Sequence, residues 1–153
     1  LTEARLLHKS RLYATDINPK VLEIARKGIY PASQMRKYSE NYIQSGGKQD
    51  FSTYYTSNYN LAKFDKILSE KMIFATHNLV SDSSFNEFQL ILCRNTLIYF
   101  DRDLQSRVLQ LFNSSLEPLG FLGLGTKESL KFSPIDGNFK VAVPGQKIWR
   151  KIK

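Results

Sequence analysis

The chain has 153 residues, 42% hydrophobic and 24% charged, which suits one globular domain with a sizeable core. Its longest apolar runs, such as Phe88 to Cys93, fall far short of the roughly 20 residues of a membrane-spanning helix, and Glu3, Arg5, His8 and Lys9 interrupt the leucines at the start, which excludes a signal peptide. A formal charge of +8 attracts acidic partners, nucleic acid or an acidic protein surface, while the single Cys93 excludes an internal disulfide or a cysteine zinc cluster and fits a reducing cytoplasm.

Arg11 to Thr15 is a short β-type run, and Asp16, Ile17, Asn18 and Pro19 then start a helix, with Asn18 as N-cap and Pro19 at the first helical position. Val21, Leu22 and Ala25 make that helix amphipathic, and Gly28 ends it. From Tyr30 to Thr76 the texture changes: six of the eight tyrosines fall there, and the segment reads as an insertion. A helix over Ser33 to Gln44, ended by Gly46 and Gly47, precedes short strands at about Phe51 to Tyr55, Leu61 to Phe64, Lys66 to Leu68 and Met72 to Ala75, which predict a small antiparallel sheet.

Phe88 to Cys93 has the near-continuous apolar character of a central strand buried on both faces of a parallel sheet. Asp101 caps a helix in which Leu104, Val108, Leu111, Phe112 and Leu116 keep the helical rhythm until Pro118 and Gly120 end it. Phe121 to Leu124 is the next strand, and Phe139 to Val143 with Lys147 to Ile152 form a hairpin around Pro144 and Gly145. The alternation predicts an α/β fold with a mostly parallel sheet and one reversed strand.

Three places carry candidate chemistry. Asp16, between strand and helix, stands where an open α/β sheet puts a carboxylate for a ribose diol, although the helix dipole alone also favours it there. In His77, Asn78 and Leu79, the Asn offers donor and acceptor to an adenine edge and the Leu an apolar face; His77 has no carboxylate or Cys near it in sequence and reads as structural. Cys93, Arg94 and Asn95 sit at the carboxyl end of the apolar strand, where such sheets bind ligands, with Tyr99, Phe100 and Asp101 following. Arg94 and Asn95 could instead cap backbone groups, Tyr99 could pack at a helix entry, and Cys93 is a small buried apolar residue.

The segments ATDINPKVLEIARKGIYP (Ala14 to Pro31), HNL (His77 to Leu79), FQLILCRNTLIYFD (Phe88 to Asp101) and LEPLGFLGLGTKESL (Leu116 to Leu130) resemble the CheR family of chemotaxis receptor methyltransferases in order and spacing. The resemblance spans Ala14 to about Lys151. It implies a class I, Rossmann-like methyltransferase fold across residues 1–153, in which residues 30–76 form an inserted helix and small β-subdomain. It further implies S-adenosylmethionine as cofactor and S-adenosylhomocysteine as product, with Asp16 on the ribose, and Asn78, Leu79, Arg94 and Asn95 along the adenosine and methionine portions. Tyr99 would lie beside the transferred methyl as the catalytic residue. No metal is implied. The implied reaction is glutamyl methyl-ester formation on the cytoplasmic domain of a chemotaxis receptor, by a cytoplasmic enzyme expected to be monomeric, to bind no nucleic acid and not to insert into a membrane.

The chain departs from that family in two respects. A glycine-rich loop before the DIN strand is expected, yet no glycine precedes Gly28; the chain therefore reads as truncated, with part of the cofactor pocket absent and its own activity in question. Where a His-Ser-Glu-like run is expected after glycine, this chain reads Gly125, Thr126, Lys127, Glu128 and Ser129: the final Glu-Ser is kept, and the change before it bears on local substrate contacts. The rival readings are a nucleic-acid methyltransferase, favoured by charge and aromatic residues but lacking an Asn-Pro-Pro-aromatic motif, and a non-enzymatic receptor-binding adaptor.

Overall fold

A computed structural model describes every residue from Leu1 to Lys153, in two compact units, Leu1–His77 and Asn78–Lys153.

The first unit opens with β1 (Leu12–Asp16) and α1 (Pro19–Lys27). Asn18 caps α1 by accepting from the Lys20 N–H, Pro19 occupies the first turn, and Gly28 closes it in the left-handed conformation at φ 62°, donating to the Ile24 and Ala25 carbonyls, as the sequence predicts. Three further strands, β2 (Ile29–Pro31), β3 (Tyr55–Asn58) and β4 (Leu61–Phe64), make an antiparallel sheet in the order β2-β4-β3, and α2 (Met35–Gln44) lies between β2 and β3 in the chain. The strand expected at Phe51 to Tyr55 is instead a 3-10 turn over Phe51–Tyr54 followed by β3, and that expected at Lys66 to Leu68 is another 3-10 turn. Both departures have one cause: Asp50 and Asp65 accept from the backbone N–H two residues ahead, which closes a turn where hydrophobicity alone suggests a strand.

Several aromatic residues of this segment form a cluster. The Phe51 ring meets those of Tyr42, Tyr54, Tyr55 and Phe64 at centroid distances of 5.4 to 6.4 Å. Glu3 accepts from the hydroxyls of Tyr42 and Tyr54 and from the Lys48 N–H, and the tyrosine bonds hold its carboxyl below the ordinary range. The last strand of the unit, β5 (Met72–Thr76), does not join the small sheet: it pairs in parallel with β1, from Leu12 opposite Met72 to Asp16 opposite Thr76. Arg26 of α1 fastens this pair by donating to the Phe74 carbonyl at 3.3 Å while lying over its ring.

In the second unit, β6 (Phe88–Cys93), α3 (Arg102–Ser115), β7 (Leu116–Leu124), β8 (Phe139–Val141) and β9 (Ile148–Lys151) give a four-stranded sheet in the order β6-β7-β9-β8. β6 and β7 are parallel and β9 alone runs against its neighbours, which is the predicted reversed strand and terminal hairpin. Asp101 caps α3 by accepting from the Leu104 N–H, and Val108, Leu109 and Phe112 bury one face against Leu122, Leu124 and Cys93. α3 ends at Ser115, before the expected Pro118: the chain passes straight into β7, and the pairing with β6 shifts register across Glu117 to Gly120, a bulge that accommodates the proline. β6 is not buried on both faces. Ile91 and Cys93 face α3, whereas Leu90 and Leu92 on the alternate face are exposed.

Candidate functional site

Asp16 is the last residue of β1 and lies beside Thr76 at the carboxyl end of the parallel pair. Its Oδ1 accepts from the Asn18 N–H at 2.8 Å, which bends the chain into α1, and its carbonyl accepts from His77. The turn thus uses one carboxylate oxygen and leaves Oδ2 for an outside donor. For a ribose diol, which needs an acceptor, this is a fitting group.

Asn78 and Leu79 open the second unit. The Asn78 side-chain carbonyl accepts from the Val80 N–H, which fixes the side chain on the turn and leaves its amide NH2 for a ligand. Leu79 is half-buried against the α3 core cluster.

The segment after β6 is held more tightly than any sequence pattern suggests. Asn95 takes a left-handed φ of 58° and Thr96 returns to the right-handed region, so the N–H groups of Asn95, Thr96 and Leu97 converge as a nest. Glu128, on the loop after β7 and buried, fills it: Oε1 accepts from Thr96 and Leu97 at 2.8 Å each, and Oε2 from Asn95 at 3.0 Å and from Gly125 at 2.6 Å. From the other side the Gln105 amide of α3 donates to the carbonyls of Leu97 and Phe100. Leu97 anchors the turn in the core, and Tyr99 stands 81% exposed on a turn whose backbone is fixed at both ends.

Arg94 and Asn95 are exposed on the same loop. Since Glu128 occupies the backbone nest, its N–H groups are not available to a ligand, whereas the side chains of Arg94, Asn95 and Tyr99 are exposed. Cys93 is buried, and burial pushes its thiol up, which leaves it an inert core residue. In the sequence Glu128 stands out only as the retained glutamate of an otherwise altered run, with no role assigned to it. Its signal was a lone carboxylate in a Gly-x-x-Glu run directly after an apolar strand. On the first unit, a shallow groove of about 330 Å³ is lined by Ile29, Thr56, Asn58, Tyr59, Leu61 and Lys63, none of them a predicted site residue.

Each unit by itself presents groups suited to part of a nucleoside cofactor: the first a carboxylate for a diol in Asp16, the second an amide and a guanidinium in Asn78 and Arg94. The model of the family described as CheR methyltransferase, SAM binding domain, matches residues 2–143. A protein of Pseudomonas putida named as methyltransferase Cher3 is 50% identical over 151 residues, covering 99% of this chain and 55% of that protein. The chemotaxis protein methyltransferase of Salmonella typhimurium is 32% identical over 122 residues, covering 78% of this chain and 41% of its own. The chain thus spans about half the length of the curated relatives it matches. The N-methyltransferase NodS of Bradyrhizobium japonicum, solved with S-adenosyl-L-homocysteine, overlaps 74% of this chain and 40% of its own at 15% identity and a TM-score of 0.43, too loose a likeness to build on. With residues 2–143 matched to the model described as the SAM binding domain, the chain belongs to the CheR methyltransferase family.

Proposed function

We propose that the full-length protein transfers the methyl group of S-adenosylmethionine to glutamate side chains on the cytoplasmic domain of chemotaxis receptors, acting as a cytoplasmic monomer. The observation that carries this reading is Tyr99, exposed on a turn clamped by Glu128 and Gln105, on the loop that also carries the exposed Arg94. A cation and a phenol on one exposed loop suit a carboxylate acceptor. The acceptor needs no general base: a glutamate side chain, with a pKa of about 4.3, is ionised at neutral pH.

Under this reading the cofactor supplies an electrophilic methyl on a positively charged sulfur. Asp16 accepts from its ribose, Asn78 and Leu79 meet the adenosine, and Arg94 and Asn95 the remaining polar groups. The protein's work is positioning: aligning acceptor and methyl contributes about 7 to 11 kcal/mol at the generous limit. The Tyr99 ring adds about 0.5 to 2 kcal/mol against a cation, and its hydroxyl orients the incoming carboxylate. The net charge of +8 draws in an acidic receptor surface.

The test is methyl ester formed on purified receptor with radiolabelled cofactor, alongside calorimetric binding of S-adenosylhomocysteine, in full-length protein. Tyr99→Phe should lower turnover more than affinity; Asp16→Ala should cost affinity, by about 1.5 to 3 kcal/mol for a charged acceptor. Wild-type turnover by Tyr99→Phe removes Tyr99 from catalysis. Absence of receptor esters with intact cofactor binding, or methylated nucleic acid in their place, overturns the substrate.

A further inference from the structure

We infer that Glu128 is the positioning residue of the methyl-transfer loop, a buried carboxylate that holds Arg94, Asn95 and Tyr99 in their working arrangement before any ligand binds. This rests on the reading of those three residues as contacts to cofactor and acceptor. Four backbone N–H groups, from Asn95, Thr96, Leu97 and Gly125, converge on its two oxygens at 2.6 to 3.0 Å. Three of them are consecutive, and this is possible because Asn95 adopts φ 58°. Such a nest is an anion site, and here the protein supplies the anion itself.

Two consequences follow from that occupancy. The loop after β6 is tied to the loop after β7, so the carboxyl ends of two parallel strands move as one piece. The backbone donors are also spent internally, so ligand recognition on this loop falls to side chains, whose directions Glu128 therefore sets.

Glutamine at position 128 tests the lock with almost no change of shape. A carboxylate accepts at both oxygens, whereas an amide turns an NH2 toward one pair of N–H groups whichever way it is flipped. Either orientation sets donor against donor at two of the four bonds. Leaving buried donors unsatisfied costs enough to weaken binding by about tenfold to a hundredfold.

The experiment uses full-length protein and two measurements. Hydrogen exchange on the wild type without cofactor should show slow amides at Asn95, Thr96, Leu97 and Gly125, with little added protection from S-adenosylhomocysteine. Calorimetry on Glu128→Gln, at a temperature where its circular dichroism matches the wild type, should show affinity for S-adenosylhomocysteine reduced by about tenfold or more, with faster exchange confined to those amides. Free exchange of these amides in the unliganded wild type, or protection arising only with ligand, overturns the inference even if the variant does not fold. So does a folded Glu128→Gln that binds like the wild type. A wild type that binds no S-adenosylhomocysteine sinks the underlying reading of the loop as well, and is thereby told apart from failure of the lock alone.

Discussion

At Gly125 the absence of a side chain is a requirement of contact rather than of backbone conformation. A Cβ built there would lie 2.5 Å from Asn95 Oδ1, 2.7 Å from the Asn95 nitrogen and 2.7 Å from Glu128 Oε2. A methyl group would therefore be driven into the one place where the two loops meet. Gly125→Ala should cost about 1 to 3 kcal/mol in urea unfolding, the usual range for overpacking. It should also weaken S-adenosylhomocysteine binding beyond what the lost stability explains, because the displaced atoms belong to Asn95 and Glu128. Wild-type affinity in the folded variant would show that the loop tolerates the shift. Cys93, three residues before Thr96, has the opposite character: it is buried, its thiol is pushed up, and nothing about it calls for reactivity.

At the scale of elements, the end of α3 shows how a helix can stop without glycine. Leu116 is already extended at φ −93°, ψ 134°, which leaves terminal carbonyls without helical partners. Lys151 of β9 supplies them: its Nζ donates to the Asn113 carbonyl at 2.7 Å and to that of Leu116 at 2.8 Å. A cation at a helix C-terminus is also favoured by the dipole. Lys151→Met keeps most of the side-chain volume and removes both donations, and should destabilise the protein by about 1 to 3 kcal/mol, read as a lower urea midpoint at unchanged slope. A neutral result would mean that water replaces the ammonium. α1, by contrast, carries its own stops in Asn18 and Gly28, and needs no help from a distant strand.

For the molecule as a whole, the unequal burial of the β6-β7 sheet has a measurable consequence. Leu90 and Leu92 are 53% and 66% exposed, and Leu90 pairs with the exposed Phe121, so one sheet face presents a run of apolar side chains. Contiguous apolar surface of this kind promotes association. The isolated 1–153 chain should bind a hydrophobic dye and self-associate, and Leu92→Lys should reduce both without lowering the unfolding midpoint. Dye binding unchanged by the substitution would place the sticky surface elsewhere. No helix of the chain is long and apolar enough to cross a membrane.

Local chemistry is what the sequence settled by itself. Asn18, Pro19, Gly28 and Asp101 act through bonds to residues at most four positions away, so α1 and the start of α3 were legible, as were the α/β class and the reversed last strand. Quoted motifs led to the family, and the family match followed over residues 2–143. Tertiary structure decided whatever depends on partners distant in the chain. Met72–Thr76 reads equally well as a strand of the small sheet, and only pairing with β1, sixty positions earlier, assigns it to the parallel pair. The apolar run of β6 suggests burial on both faces, because hydrophobicity records what a strand can bury and not what covers it. Glu128 is the clearest case. A carboxylate in a glycine-bounded loop looks like surface in sequence, and its role exists only because folding brings the N–H groups of Asn95, Thr96 and Leu97, more than thirty residues away, onto its two oxygens.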